Sequence, residues 1–225
     1  MKNLKTSIVA LTFIVMMLLI ILPTLNAQTV EFGLRFMPAF TKFDINTSSG
    51  GRIIGDINLG YGVGGVLGFN FSDQVGIQTE VIYSSYAQKF KESDVEHNID
   101  LKYVNIPLLL ALNTSKFKAF NLGIVAGPQI GLSVGSKLFS THDESGGPVP
   151  VLSVKKGDLG FAYGAGLDFG LNAASTIRLA LGFRGVYGLI DISDHSGTVS
   201  NDSYYILDRT KIKVYSGYVG FSVLF

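Results

Sequence analysis

Eight stretches of this chain place an apolar residue at every second position, and that spacing leaves few folds open to it. The stretches are 30–41, 59–71, 75–84, 103–112, 120–132, 159–170, 177–188 and 215–225. Successive side chains of a β-strand point to opposite faces, so each stretch predicts a strand with one apolar face. Strands of soluble proteins peak near 5–6 residues, whereas a tilted membrane strand needs about 9–11. The lengths therefore favour strands that cross a membrane.

The two faces of these strands differ sharply in composition. One face carries Leu, Val, Ile, Phe and Tyr, and the other is mostly glycine, of which the chain has 27. Only 16% of the residues are charged, against about 25% in a typical domain, so the glycine face could not cover a wall exposed to water. It suits the interior of an eight-stranded barrel, which is just wide enough for side chains to fill. The apolar face then points to lipid, and closure satisfies every backbone group.

The segments between the strands alternate in length. The longer ones are 42–58, 91–98, 137–157 and 190–210, and the short ones are 72–74, 113–116 and 172–175. Outer-membrane barrels have short periplasmic turns and longer outer loops. The sequence therefore predicts an all-β, eight-stranded antiparallel up-and-down transmembrane β-barrel in the outer membrane of a Gram-negative bacterium. With an even number of strands, both termini are expected in the periplasm.

The first 27 residues have the composition of a secretory signal peptide. Lys2 and Lys5 precede an uncharged run over 6–22, and the small residue Ala27 offers a cleavage site. We expect residues 1–27 to be removed, which leaves 28–225 as the outer-membrane β-barrel domain. An uncleaved anchor is the alternative, because the run is close to the lower limit of about 17 residues for spanning a membrane.

Composition excludes several classes of function. The chain has no cysteine, which excludes a disulfide scaffold and cysteine-based zinc or redox chemistry. Its formal net charge of +1 does not indicate the strongly basic surface that binds nucleic acid. No phosphate-cradling loop or calcium-binding pattern is present, so no cofactor is expected.

Six charged residues fall on the inward, glycine-rich face of the predicted strands. They are Glu31, Arg35, Glu80, Asp168, Arg178 and Arg184. Because an unpaired buried charge is costly, we expect a structural network of ion pairs that plugs the narrow lumen. Asp168 and Arg178 flank the same short turn, so they are expected at similar height and could pair. A charged pore or proton path is the alternative.

The three histidines, His97, His142 and His195, all fall in the predicted outer loops beside acidic residues. Imidazole and carboxylate groups bind divalent metals, so converging loops could form a metal site. No histidine pair has the i,i+2 or i,i+4 spacing of a metal-binding motif. We therefore expect solvated loop residues and no metal.

An enzyme is a further alternative. His195 and Ser196, with Asp191 and Asp194 nearby, supply the residue types of a serine hydrolase. Such triads are recognised by geometry, and neighbours in sequence rarely form one. The chain also lacks a Gly-x-Ser-x-Gly nucleophile elbow. We expect no catalytic residues.

Function is expected in the longer loops. The segments 42–58, 137–157 and 190–210 are rich in Ser, Gly, Asp, Asn and Thr, and binding residues concentrate on loops held by a rigid scaffold. These loops are the predicted contact surface for a protein partner. The expected role is structural or interaction-based at the cell envelope, with a lipid-modifying or proteolytic barrel enzyme and a narrow transport channel as the alternatives.

Several local motifs point to a known family. They are Gly76-Ile77-Gln78-Thr79-Glu80 leading into Tyr83, Tyr103-Val104-Asn105-Ile106-Pro107-Leu108-Leu109-Leu110, Gly123–Gly127 followed by Pro128, Tyr187-Gly188-Leu189, and Gly217-Tyr218-Val219-Gly220-Phe221. Across roughly the whole mature chain, the sequence resembles the PorT-type outer-membrane β-barrel family of Bacteroidota. The resemblance implies an outer-membrane barrel. The founding member is associated with type IX protein secretion, so an accessory role in secretion is one candidate function.

The C-terminus resembles the signal that the barrel-assembly machinery reads. Val219, Phe221, Val223 and the terminal Phe225 alternate with small or polar residues. The resemblance implies that this machinery is a partner during biogenesis and that outer-membrane lipid surrounds the finished barrel.

Overall fold

Eight long strands form the wall of the barrel. The computed structural model describes residues 29–46, 52–54, 58–92, 95–140, 149–151, 153–194, 203–205 and 208–225. The wall strands are β1 (Thr29–Asn46), β2 (Asn58–Asn70), β3 (Val75–Glu92), β4 (Val95–Asn113), β5 (Phe120–Ser140), β6 (Gly157–Gly170), β7 (Ile177–Gly188) and β8 (Asp208–Leu224). A short strand, Arg52–Ile54, extends the same sheet by pairing antiparallel with the end of β1, and Val149–Val151 and Ser203–Tyr205 pair in parallel as a separate two-stranded sheet. The predicted signal peptide lies outside the described residues.

The sheet closes on itself. Each wall strand pairs antiparallel with its neighbours in sequence, and β1 also pairs antiparallel with β8, with Phe32 opposite Val223 and Phe36 opposite Val219. At the C-terminal edge, the Phe225 N–H donates to the Val30 carbonyl at 2.9 Å. The predicted all-β, eight-stranded antiparallel up-and-down barrel is confirmed.

The two faces are arranged as the alternation predicts. Leu34 is 73% exposed and Phe221 57% exposed on the outer wall, while Glu80 and Arg184 are each 2% exposed inside. Aromatic pairs strengthen the outer wall, with Phe120 against Phe169 at a centroid distance of 5.6 Å. Among the described residues, no helix is long and apolar enough to cross a membrane.

Inward glycines allow neighbouring strands to approach side by side around a tight circumference. A Cβ atom added to Gly127 would collide with the backbone carbonyl oxygen of Leu108, and one added to Gly64 would collide with that of Val81. A larger residue at either position would therefore push two wall strands apart.

The connections divide the barrel into two ends. The turn end carries turns 71–74, 114–119 and 171–176 together with Thr29 and Phe225, and the loop end is opposite. The prediction of a loop over 91–98 is wrong, because β3 runs to Glu92 and β4 begins at Val95, with these two residues paired. Backbone pairing needs no apolar face, so this hairpin continues beyond the apolar part of the wall, where the alternation pattern gives no signal.

Candidate functional site

The middle of the lumen holds a buried cluster of one carboxylate and two guanidinium groups. Glu80 on β3 accepts a hydrogen bond from Arg35 on β1 and another, at 2.9 Å, from Nη2 of Arg184 on β7. Gln78 donates to the same carboxylate oxygen. The Arg35 guanidinium also lies 4.2 Å from the centre of the Tyr218 ring, a favourable contact for a cation. Three of the six predicted lumen charges are thus brought together from three separate strands.

A second cluster lies nearer the turn end and is centred on Lys116. Its Nζ atom is 3.0 Å from Glu31 Oε2 and 2.9 Å from Asp168 Oδ2. Asn121 Nδ2 donates to the same Asp168 oxygen at 3.0 Å. Two further predicted lumen residues, Glu31 and Asp168, therefore both bind Lys116, a cation that the sequence pattern did not indicate.

Lys116 reaches the lumen because its turn folds into the end of the barrel. Asp73, in the neighbouring turn 71–74, accepts a hydrogen bond from the Phe117 N–H at 2.9 Å and another from Ser115 Oγ at 3.0 Å. These contacts draw turn 114–119 inward, and Ser115 and Lys116 are both buried. The six predicted charges already balance, with three acids and three arginines, so charge counting gave no sign of a further lysine.

The surroundings of Lys116 keep it charged. Burial by itself would lower the pKa of this ammonium group, but the carboxylates of Glu31 and Asp168 outweigh that effect and raise the pKa above its ordinary value. The turn end of the lumen is therefore closed by a charged, hydrogen-bonded cation.

Arg178 has a different role from the one expected. Its guanidinium, fully buried, donates to three backbone carbonyls, those of Lys118 at 2.9 Å, Ser175 at 3.1 Å and Asp168 at 3.3 Å. The Asp168 carboxylate binds Lys116 instead. Arg178 thereby ties turns 114–119 and 171–176 together across the end of the barrel.

Toward the loop end the lumen is lined by uncharged polar and apolar side chains, with Asp158 as a buried carboxylate among them. Asn105 Nδ2 donates to Ser84 Oγ at 3.0 Å and to Tyr86 Oη at 2.9 Å. An apolar cluster adjoins this layer and consists of Ala39, Tyr86, Ile99, Leu101, Tyr103, Leu109, Ala162, Val186, Ile192, Ile212 and Val214. Ile192 comes from the segment after β7, which is held by hydrogen bonds from the Ile192 N–H to the Thr210 carbonyl at 3.0 Å and from the Lys155 N–H to the Ile192 carbonyl at 2.8 Å.

Little space remains between these layers. One cavity of about 40 Å³ lies beside Lys116 and Arg35, and another of about 30 Å³ lies beside Glu80 and Asn105. On this measure a cavity needs about 10–15 Å³ to hold one water molecule, so each cavity has room for only a few waters. The described part of the lumen is filled by side chains.

The loop residues considered as metal ligands or catalytic groups fall largely outside the described residues. This holds for His142, His195 and Ser196 and for the side chain of His97. Asp191 is described, and its carboxylate accepts a hydrogen bond from the Ser193 N–H at 2.9 Å. Within the described ranges, no group of three His, Cys, Asp or Glu side chains is placed to hold a metal ion.

The C-terminal residues with the assembly-signal pattern lie on the outer face of β8 and just beyond it. Phe221 and Phe225 are well exposed there, and Val223 is partly exposed. The Phe225 ring contacts the Phe32 ring edge-on, with centroids 6.2 Å apart. The C-terminus is therefore part of the outer wall next to the seam between β1 and β8.

Comparison with known proteins agrees with the barrel. A family model described as the outer membrane protein beta-barrel domain matches residues 26–194. The crystal structure of the outer membrane protein OprG from Pseudomonas aeruginosa is similar at a TM-score of 0.54 and 16% identity, covering 91% of this chain and 99% of that one. Neisserial surface protein A (NspA) gives a TM-score of 0.44 at 16% identity, covering 85% of this chain and 96% of that one. No curated protein sequence matches the chain. At 16% identity the likeness to OprG shows the fold alone.

Proposed function

The chain belongs to the outer membrane protein beta-barrel domain family, and from this premise we propose that it is a closed barrel with a structural or interaction role at the cell envelope. In this proposal the barrel is a rigid membrane support for its loops, and neither a solute path nor an active site runs through its lumen. The observation that carries the proposal is the buried Glu80 carboxylate held between Arg35 and Arg184.

Physical reasoning supports a lumen that stays closed. A permeating ion would have to displace the mid-lumen ion pairs, the Lys116 cluster and the apolar cluster in turn. Leaving one member of a buried ion pair without its partner costs about 3–5 kcal/mol. The apolar cluster would in addition strip a passing ion of its water without replacing it.

The orientation and processing of the chain are part of the same proposal. We place the turn end, with both termini, in the periplasm and the loop end at the cell surface, because outer-membrane barrels keep their short turns inside. Residues 1–27 are removed as a signal peptide, and the C-terminal Val219, Phe221, Val223 and Phe225 engage the barrel-assembly machinery. The loops within 42–58, 137–157 and 190–210 then contact a protein partner.

A narrower assignment rests on the sequence motifs. The segment Tyr103–Leu110 and the other motifs named above support membership of the PorT-type group of Bacteroidota, with an accessory role in protein secretion as one form of the interaction role. Tyr103 and Asn105 of this segment point into the lumen, where both are buried. Their contribution is therefore to barrel packing, and a secretion partner would be recognised by the loops.

Two measurements test the proposal. Purified protein in a planar lipid bilayer is expected to give no stable conductance, and large steady conductance by the wild type would overturn the closed lumen. Purification from its own outer membrane, followed by mass spectrometry, is expected to recover a partner that is lost when residues 143–147 are deleted. Hydrolysis of phospholipid or lipid A that Ser196→Ala abolishes would instead establish the enzyme alternative.

A further inference from the structure

We infer that the lumen contains, on its loop side, a binding site for one small monovalent cation, formed by the Asp158 carboxylate and neutral oxygen atoms around it. Asp158 is the second residue of β6 and points inward, where it is 8% exposed. The site lies away from both charged clusters and plays no part in the proposed closure of the lumen.

Asp158 lacks the partners that the other lumen carboxylates have. Glu31, Glu80 and Asp168 each form ion pairs with buried cations. For Asp158, no lysine, arginine or histidine among the described residues lies within 4.0 Å of the carboxylate, and its Oδ1 atom is buried without a hydrogen-bond partner. Lys155, close by in sequence, instead donates to the Asp191 carbonyl at 2.9 Å. A buried carboxylate in this state needs a counter-charge, because an isolated buried ion is very costly.

The sheet brings two further oxygen-bearing side chains, those of Asn105 and Tyr103, next to Asp158. Gly131 on β5 lies opposite both Asp158 and Asn105 in the sheet. The point where a Gly131 Cβ would lie is 3.2 Å from Asn105 Oδ1, 3.3 Å from Asp158 Cβ and 3.3 Å from Tyr103 Cδ1. The Tyr103 hydroxyl is also buried without a hydrogen-bond partner. Because Gly131 has no side chain, the side chains of Asn105, Asp158 and Tyr103, each of which carries an oxygen atom, pack next to one another around it.

The hydrogen bonds of Asn105 orient its oxygen as an acceptor. Its Nδ2 atom is used in donating to Ser84 and Tyr86. Its Oδ1 atom accepts one long hydrogen bond, 3.3 Å, from Gln129 Nε2. An amide oxygen has two lone pairs, so one remains to face a cation.

The composition of the site indicates the charge and size of its ligand. One carboxylate with amide and phenol oxygens balances a single positive charge, whereas calcium and magnesium sites usually combine several charged or water ligands. The described residues contain no group of three acidic, histidine or cysteine ligands that would favour a divalent metal. Ile99 and Leu101, with 0% exposure, and Tyr103, with 1%, are packed in the apolar cluster beside the site. We therefore assign it to a dehydrated sodium or potassium ion rather than to an organic ammonium ion.

Thermal unfolding in detergent tests this assignment. The mature protein is melted at pH 8 in sodium, potassium or N-methylglucamine chloride at equal ionic strength and followed by far-UV circular dichroism. At a cation concentration about ten times the Kd, the midpoint is expected to be about 3–6 °C higher in sodium or potassium than in N-methylglucamine. Asp158→Asn is expected to abolish this difference, while the control Asp191→Asn, on a carboxylate outside the site, retains it.

Three outcomes would overturn the assignment. The first is a wild-type midpoint that is the same in all three salts and depends on pH, which would show that Asp158 takes up a proton. The second is a difference that survives in Asp158→Asn. The third is stabilisation by millimolar calcium or magnesium that exceeds the effect of sodium and potassium. If Asp158→Asn does not fold, Gly131→Ala serves instead, because its methyl group would lie 3.2–3.3 Å from the Asn105, Asp158 and Tyr103 side chains and push them apart. This variant is expected to shift the midpoint of the cation titration to higher concentration, and an unshifted titration would count against the site.

Discussion

Replacing Glu80 by glutamine is expected to be among the most damaging conservative changes in this barrel. The substitution keeps the size of the side chain and removes its charge. Arg35 and Arg184 then remain in the lumen without a carboxylate partner. A guanidinium group stays protonated under all ordinary conditions, so neither arginine can escape the cost by losing a proton.

The structure sets the size of the effect. At 2.9 Å between Arg184 Nη2 and Glu80 Oε1, and with an effective dielectric constant of about 20, the Coulomb attraction is about 6 kcal/mol. Desolvation of the ions offsets part of this attraction in the wild type, and breaking a buried pair costs about 3–5 kcal/mol. Because both arginines lose the same partner, we expect Glu80→Gln to lower the free energy of unfolding by about 5 kcal/mol.

Urea unfolding in detergent micelles measures this change. The chain has no tryptophan, so far-UV circular dichroism and the heat-dependent shift of the folded barrel on a gel are the suitable signals. Thr79→Val is the matched control, because Thr79 is the adjacent residue on the outer face and its hydroxyl makes one hydrogen bond, to the Pro107 carbonyl at 3.0 Å. Loss of that bond should cost only about 1 kcal/mol.

A second substitution separates the ion pairs from general disturbance of the lumen. In Glu80→Gln combined with Arg184→Gln, only Arg35 remains charged, and it keeps its contact with the Tyr218 ring. The double variant is therefore expected to be more stable than the sum of the single effects predicts, by at least about 1 kcal/mol. A cost below about 1 kcal/mol for Glu80→Gln, or strictly additive effects, would refute the reasoning.

Further outcomes are expected from the rest of the structure. Lys116→Met should cost about 3–5 kcal/mol in urea unfolding, because two buried carboxylates lose their cation. The pKa of Lys116 is raised in the folded protein. Its ion pairs therefore stabilise the fold fully below the ordinary lysine pKa, and this stabilisation is lost as the pH rises through the folded value. The stability of the wild type should thus fall at alkaline pH by more than that of Lys116→Met. Gly127→Ala should lower the thermal midpoint by circular dichroism, whereas Gly157→Ala, with no atom within 4 Å of the added Cβ, should not; equal effects would contradict the close-approach explanation. Leu34→Arg on the outer wall should lower the free energy of unfolding from lipid vesicles by about 2–4 kcal/mol. A much smaller cost would indicate that this wall does not face lipid. Deletion of Phe225 should lower the fraction of heat-modifiable barrel in cells, and an unchanged fraction would remove this residue from the assembly signal.

The wall could be predicted from the sequence because lipid and lumen make opposite demands on successive residues. Leu34 and Arg35 are neighbours in the chain, yet one is 73% exposed and the other 8%. That contrast repeats in every wall strand, so a period of two identified all eight. The ends of β3 and β4 could not be found in this way, because their hairpin continues where the outer face no longer needs to be apolar.

The partners in the lumen were less predictable than its residues. Sequence spacing places Glu80, Arg35 and Arg184 on the inner face, and the register of three strands then brings them together. Lys116 enters through a turn whose position depends on Asp73, 43 residues earlier in the chain by numbering. No periodic pattern reports a contact between two turns, so the cation that binds Asp168 could be identified only from the structure.

The described segment after β7, at the loop end, also bears on where a protein partner would bind. Ile192 belongs to the apolar cluster inside the barrel, and its backbone is hydrogen-bonded to Thr210 and Lys155. Ser193 is also bridged to Val154. The residues just before 195, just after 207 and just after 152 are therefore held at the rim of the barrel by hydrogen bonds. A partner that contacted these described rim residues would meet a surface that is already held in place, which lowers the entropy cost of binding and supports our proposal that a partner binds at the loop end.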